Sequence, residues 1–163
     1  MENEPLIIGT SVDNDHGAML LALELATRAG SLGEVPVGAV VVRDNVVIAA
    51  RHNERETSQD PTAHAEVLAL RDAAHAIGQW RLNDCTLVVT LEPCLMCAGA
   101  LMNARIGKLV YGAADLKAGA TASLYNVCTD PRLNHEPTVV HGVCEHEARL
   151  LLQEFFAGKR TSG

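Results

Sequence analysis

Val35 to His52 reads VPVGAVVVRDNVVIAARH. Two runs rich in β-branched residues flank the turn pair Asp44-Asn45, so the stretch predicts two strands joined as a hairpin. Its valines are nearly continuous and do not alternate with polar residues, which predicts strands buried on both faces. A sheet buried on both faces needs a layer of other structure above and below it, and the flanking segments supply helices.

Upstream, Met19, Leu20, Leu23 and Ala26 recur at helical intervals between Asp13 and Gly33, with Ser11 or Asp13 available as a cap. Downstream, Asp60-Pro61 reads as a start signal and Gly78 as a stop. Val67, Leu68, Leu70 and Ala74 line the body of this second helix, which begins near His64. CTLVVTL (Cys85 to Leu91) is a strand, CLMCAGALMNA a third helix, KLVYGA (Lys108 to Ala113) a strand, PTVVHGV a last strand and CEHEARLLLQEFFAG a closing helix.

This order predicts a three-layer α/β/α domain around a central mixed sheet of about five strands. The chain has 163 residues and 48% apolar content, enough for one domain with a real core. Residues 1–12 and 158–163 read as flexible tails. From Ala113 to Pro137 the chain is too long and too weakly periodic for an ordinary connection, which predicts a binding loop or lid.

Five cysteines at irregular spacing argue against a full disulfide framework and for a reducing compartment. The amino terminus opens on acidic residues, unlike a secretory or transit segment, and no run approaches the roughly 20 apolar residues of a membrane helix. A soluble, cytoplasmic protein is expected. The net charge of −7 repels phosphate, so any nucleic acid must meet a local patch, for which Arg105, Lys108, Lys117, Arg132, Lys159 and Arg160 are the candidates.

Chemistry concentrates in TLEPCLMCAGAL, Thr90 to Leu101. Pro93 suits the first turn of a helix, so Cys94 and Cys97 should open the third helix and share one face. The unpaired amides there favour thiolates. Alone, such a pair leaves a redox couple or a structural zinc, taken together, as open as a catalytic zinc. His64-Ala65-Glu66, at the start of the second helix, adds an imidazole and a carboxylate. Side chains two apart on a helix diverge, so one ligand and one proton carrier is the better division. His64, Cys94 and Cys97 would then give zinc three protein ligands and leave a fourth position for water. Glu66 would take the proton of that water and return it to the departing amine, which describes hydrolytic deamination.

H-x-E followed by P-C-x-x-C is the known signature of zinc-dependent nucleobase deaminases. With VPVGAVVV, HNERE, DPTAHAEVLAL, the run from TLEPC to SLYNV, and NHEP, the chain resembles the bacterial tRNA-specific adenosine deaminases of the cytidine/deoxycytidylate deaminase superfamily, from about His16 to Phe156. The resemblance implies adenosine-to-inosine conversion at the wobble position of a tRNA anticodon loop, by a homodimer with one zinc per subunit and active sites near the subunit interface. It implies His64, Cys94 and Cys97 as metal ligands and Glu66 as proton shuttle. Asn53 matches the asparagine that hydrogen-bonds the flipped base, Ala65 and Pro93 fall with the substrate contacts, and Asp115, Lys117 and Asn134 match positions near the RNA. Two departures weaken the phosphate contacts: Ala114 stands where many relatives carry a basic residue, and the end of the chain offers only Lys159 and Arg160.

The remaining candidates read as bland. Cys85, Cys128 and Cys144 are expected to be small buried hydrophobes or free thiols. His75, His141 and His146 have no partner at ligand spacing, and Phe155 and Phe156 are expected to pack in the core. Two alternatives stay open: deamination of a free base or nucleoside (guanine, cytosine or cytidine), and a non-catalytic zinc or thiol redox module.

Overall fold

A computed structural model of the chain describes residues 7–162. The order is α1 (Asp15–Ser31), β1 (Gly38–Arg43), β2 (Val46–His52), α2 (Arg55–Ser58), α3 (Ala65–Ile77), β3 (Cys85–Leu91), α4 (Leu95–Asn103), β4 (Lys108–Ala113), β5 (Thr138–Val140) and α5 (Glu145–Ser162), with a 3₁₀ turn at Val127–Thr129. The strands form one mixed sheet in the order β2-β1-β3-β4-β5. β1 runs antiparallel to β2 and β3, while β3, β4 and β5 are parallel.

Alternate residues of the central strands face two separate cores. Ala39, Val41, Leu87, Val89, Leu109 and Tyr111 pack toward α3 and α4. Val40, Val88 and Val110 pack toward α1, against Met19, Ala22 and Leu25. The valine runs are therefore buried on both faces, and the three-layer α/β/α arrangement follows from the period of two in strands. Among the described residues no helix is long and apolar enough to cross a membrane.

Local chemistry sets the joints. Asp44 and Asn45 both adopt left-handed backbone (φ 51° and 62°), the conformation a two-residue hairpin turn requires. Asn14, not Ser11 or Asp13, caps α1 by accepting from the Gly17 amide at 2.8 Å. Gly78 ends α3 in left-handed backbone at φ 73°.

Four details differ from expectation. α4 starts one residue late, with Cys94 as its N-cap and Pro93 outside it. The short helix α2 precedes the Asp60-Pro61 turn. Residues 1–6 lie outside the described part, but residues 7–12, expected to be a tail, are held down. Ile7 and Val12 are buried, and Gly9 and Val12 donate backbone hydrogen bonds to Val47 and Asn45. At the other end α5 continues to Ser162, past the expected stop at Gly158.

Candidate active site

The two helices on one face of the sheet, α3 and α4, begin at the same place. His64 is the N-cap residue of α3 and Cys94 that of α4, and neither side chain caps its own helix. Instead the His64 Nδ1 atom lies 3.6 Å from the Cys94 Sγ atom and 3.4 Å from that of Cys97. An N-cap and the third helical residue are one turn apart, which is why both thiols reach one imidazole. The three ligand atoms lie within 4.8 Å of one another, and this trio could hold a metal ion. Glu66 is not among them. It stands in the first turn of α3, buried, and lines the same cavity.

The groups at this point perturb one another. The hydrogen bond from Cys97, against the opposing effect of burial and with help from His64, draws the Cys94 thiol down to about 3. The contact with Cys94 raises the His64 imidazole, against the effect of burial. The Cys97 thiol's own hydrogen bond with Cys94, together with burial, pushes it up. Burial pushes the Glu66 carboxyl above its ordinary value, with the neighbouring His64 opposing.

The cavity holds about 190 Å³ and has two walls. One consists of Val35, Val37, Asn53 and Arg55. The other consists of Leu91, Glu92, Asp115 and Ala118, with Ala65 between them. Glu92, buried within this second wall, accepts the backbone N–H groups of Asp115, Thr121, Ala122 and Ser123 and the Ser123 hydroxyl. The Ala120 amide donates to the Pro93 carbonyl at 2.9 Å, and Cys94 and Gly119 form a β-bridge. A side chain on Gly119 would strike the Glu92 carboxylate. The long loop after β4 is thus folded down at its near end onto the turn that carries Cys94.

A second, wider groove of about 720 Å³ continues from Val35, Leu91, Asp115 and Ala118 past Leu116 and Lys117 to Leu152, Phe156, Lys159 and Arg160 of α5. Phe156 is 45% exposed here, where the sequence reading puts it in the core. The expected basic patch is not one surface. Lys108 pairs with Asp15, Arg132 with Asp130, and Arg105 donates to the Met102 carbonyl, whereas Lys117, Lys159 and Arg160 line the groove.

Of the residues expected at the site, His64, Ala65, Glu66, Cys94, Asn53 and Asp115 line the cavity, and Cys97 joins them through the trio. Lys117 lies in the groove. Pro93 is buried and contributes its carbonyl, not a lining surface. Asn134 is exposed and lines neither cavity, its neighbour His135 being turned to the Ile106 carbonyl at 2.7 Å. Sequence reasoning missed Val35, Arg55, Glu92 and Leu152. Glu92 carried one readable signal, an acid directly after an apolar strand, which must be either exposed or fully paired. Cys85 and Cys128 are buried as expected, and Cys144 is half-buried with its Sγ atom 3.4 Å from His16 Nδ1.

A family model for MafB19-like deaminases matches residues 13–159. The tRNA-specific adenosine deaminase of Bacillus subtilis (strain 168) is 48% identical over 135 residues, 83% of this chain and 84% of that one. A solved structure from work on A-to-I editing by tRNA:A34 deaminases at the wobble position superposes with a TM-score of 0.80 at 47% identity, covering 83% of this chain and 98% of the other. A guanine deaminase from Nitrosomonas europaea superposes with a TM-score of 0.81 at 26% identity, over 91% and 88% of the two chains. An imidazole and two thiols at the starts of adjacent helices, with a buried glutamate beside them, and near-half identity along most of the length mark this chain as a member of the tRNA-specific adenosine deaminase family of deaminases.

Proposed function

We propose that this protein is a zinc-dependent hydrolase that converts adenosine to inosine at the wobble position of a tRNA anticodon. The observation that carries the reading is the convergence of His64, Cys94 and Cys97 on one point of a cavity that Glu66 and Asn53 also line. The donor set fits the ion. Bond lengths of about 2.3 Å to sulfur and about 2.05 Å to nitrogen in a tetrahedral site separate the two atoms by about 3.6 Å. The separations here are 3.6 and 3.4 Å. Three protein ligands leave one position for solvent, and zinc held there supplies a water acidified to a pKa of about 7.

Glu66 moves the protons. As the water oxygen bonds to C6 of the purine, Glu66 takes a proton from it and delivers one to N1. It then carries a second proton to the exocyclic nitrogen, the C6–N bond breaks and ammonia leaves. One water is consumed, one ammonia is released, and no electrons are transferred to a cofactor. Burial favours the protonated carboxyl and so suits Glu66 to hold the proton between these steps. Asn53 presents its amide to the edge of the base.

An anticodon loop suits such a cavity because its bases unstack at little cost. The groove that leaves the cavity supports a polynucleotide over a free base. Leu152 and Phe156 give it an apolar floor, and Lys117, Lys159 and Arg160 supply the local positive charge that the acidic chain lacks elsewhere. The working unit in this reading is a cytoplasmic homodimer. Leu95 and Met96 at the start of α4, and Leu124 and Tyr125 in the adjoining loop, are exposed large apolar side chains that a second copy would cover.

Incubation with an anticodon stem-loop carrying adenosine at the wobble position, followed by mass spectrometry of its nucleosides, tests the reading. Inosine is expected, lost in Glu66→Ala while zinc remains bound. Ammonia released from free guanine, with no inosine in the RNA, would replace it.

A further inference from the structure

Glu34, in the connection between α1 and β1, has no exposed surface. It lines neither the cavity nor the groove. Its carboxylate accepts the Glu56 amide at 3.0 Å, the Thr57 amide at 2.5 Å and the Thr57 hydroxyl. These amides belong to the second and third residues of α2, the pair that a helix-capping side chain normally satisfies. The actual N-cap, Glu54, makes no capping hydrogen bond and pairs with Arg51 instead. Glu34 is therefore a cap supplied from some twenty residues upstream in the chain.

α2 depends on it. A four-residue helix is far below the length that is stable by itself, and α2 buries none of its residues. What it carries matters for the site. Asn53 donates its backbone N–H to the Val37 carbonyl at 3.0 Å, and its side-chain oxygen accepts the Arg55 amide at 3.2 Å. Val35 and Val37, which flank Glu34 closely in sequence, line the same wall as Asn53 and Arg55. One buried carboxylate thus ties the segment before β1 to the turn after β2, and the wall is made of those two pieces.

We infer that Glu34 is a positioning residue for the deamination: through the amides of Glu56 and Thr57 it fixes Asn53 and Arg55 against the cavity so that the base is held at the correct depth. A stability need alone would be met by a short polar residue at position 54. A cap drawn from the other half of the wall sets the spacing between the halves as well. The inference rests on the reading of Asn53 as the contact to the base.

The test is a mutant cycle of Glu34→Gln with Asn53→Ala, read as kcat/KM for inosine formation in the stem-loop, with zinc content and thermal unfolding measured on each variant. Gln keeps the shape of Glu but turns an N–H group toward the Glu56 or Thr57 donors. E34Q is expected to keep its zinc and lose about tenfold in kcat/KM, the scale of a sub-ångström misplacement. N53A should lose about 100-fold, and the double variant no more than N53A, because the two residues act as one unit. Thr57→Val removes one hydrogen bond without touching Glu34, and should give the same masking at about threefold if E34Q fails to fold. Losses that multiply in the double variant, or a wild-type rate in a folded E34Q, overturn the inference alone. Absence of inosine with the unmodified protein overturns the proposed function, and the inference falls with it.

Discussion

The Nδ1 atom of His64 and the Sγ atom of Cys97 lie 3.4 Å apart although 33 residues separate them in the chain. The contact joins the starts of α3 and α4, so removing either partner should open the metal site. Cys97→Ala is expected to retain only a small fraction of its zinc after gel filtration. Its activity should fall by more than the roughly 10- to 100-fold typical of changes outside a ligand set. Metal analysis and a deamination assay on the same sample check both.

Glu66 shares the cavity but not the ligand set. Glu66→Gln keeps the volume and, in the proposed mechanism, removes the proton carrier. Zinc content should stay at the wild-type level while kcat falls by roughly 10²- to 10⁴-fold, the usual contribution of a general acid/base. Single-turnover kinetics distinguish this from slow product release.

Glu92 accepts four amides and a hydroxyl from the loop at 115–123. Glu92→Leu leaves those donors without their acceptor, at about 1–3 kcal/mol for each that water cannot reach. A loss of at least about 3 kcal/mol in unfolding free energy is expected, read by denaturant titration. Gly119→Ala should mimic it, since the added methyl meets the same carboxylate.

The Glu34 clamp predicts a pH dependence of stability. Burial pushes this carboxyl up, but the hydrogen bonds from Thr57 and Glu56, with His52 nearby, outweigh it and hold it below its ordinary 4.5. A carboxyl depressed by folding stabilises the protein above its unfolded value, and that contribution is lost as the pH falls through the folded value. The stability difference between the wild type and E34Q should therefore be full at neutral pH and shrink below 4.5, in parallel denaturant titrations at several pH values.

Lys159 and Arg160 line the groove next to Phe156. If both meet phosphates, replacing them with alanine should weaken RNA binding and reduce the slope of log affinity against log salt by about 0.7 for each phosphate no longer neutralised. Filter binding across a salt series measures it, and the rate on a short adenosine substrate should change little.

The sheet and its two covering layers were legible because the valines between Val35 and His52 cannot be solvated on either face, and the Asp44-Asn45 turn is written in local chemistry. The convergence of His64, Cys94 and Cys97 was legible for a different reason: neither motif is specific alone, but H-x-E and P-C-x-x-C at two helix starts point to one shared site. Glu34 was not legible, and Glu92 only as an acid after an apolar strand that must be exposed or paired. Each is an ordinary acid in sequence, and its meaning lies in amides some twenty to thirty residues away that only the fold brings to it. Asn134, which the family resemblance puts near the RNA, is exposed and lines neither the cavity nor the groove. Phe156 was misjudged because a closing amphipathic helix has an apolar stripe whether it covers a core or borders a groove.

His64 and Cys94 occupy positions where Ser, Asp or Asn would each contribute about 1 kcal/mol to their helices, and they give that up. A cation shared between the two starts would latch both helices at once, so metal supply would govern the lifetime of the protein as well as its turnover. Loss of zinc would then let residues 64 and 94 fray and speed proteolysis at the same time as it stops turnover.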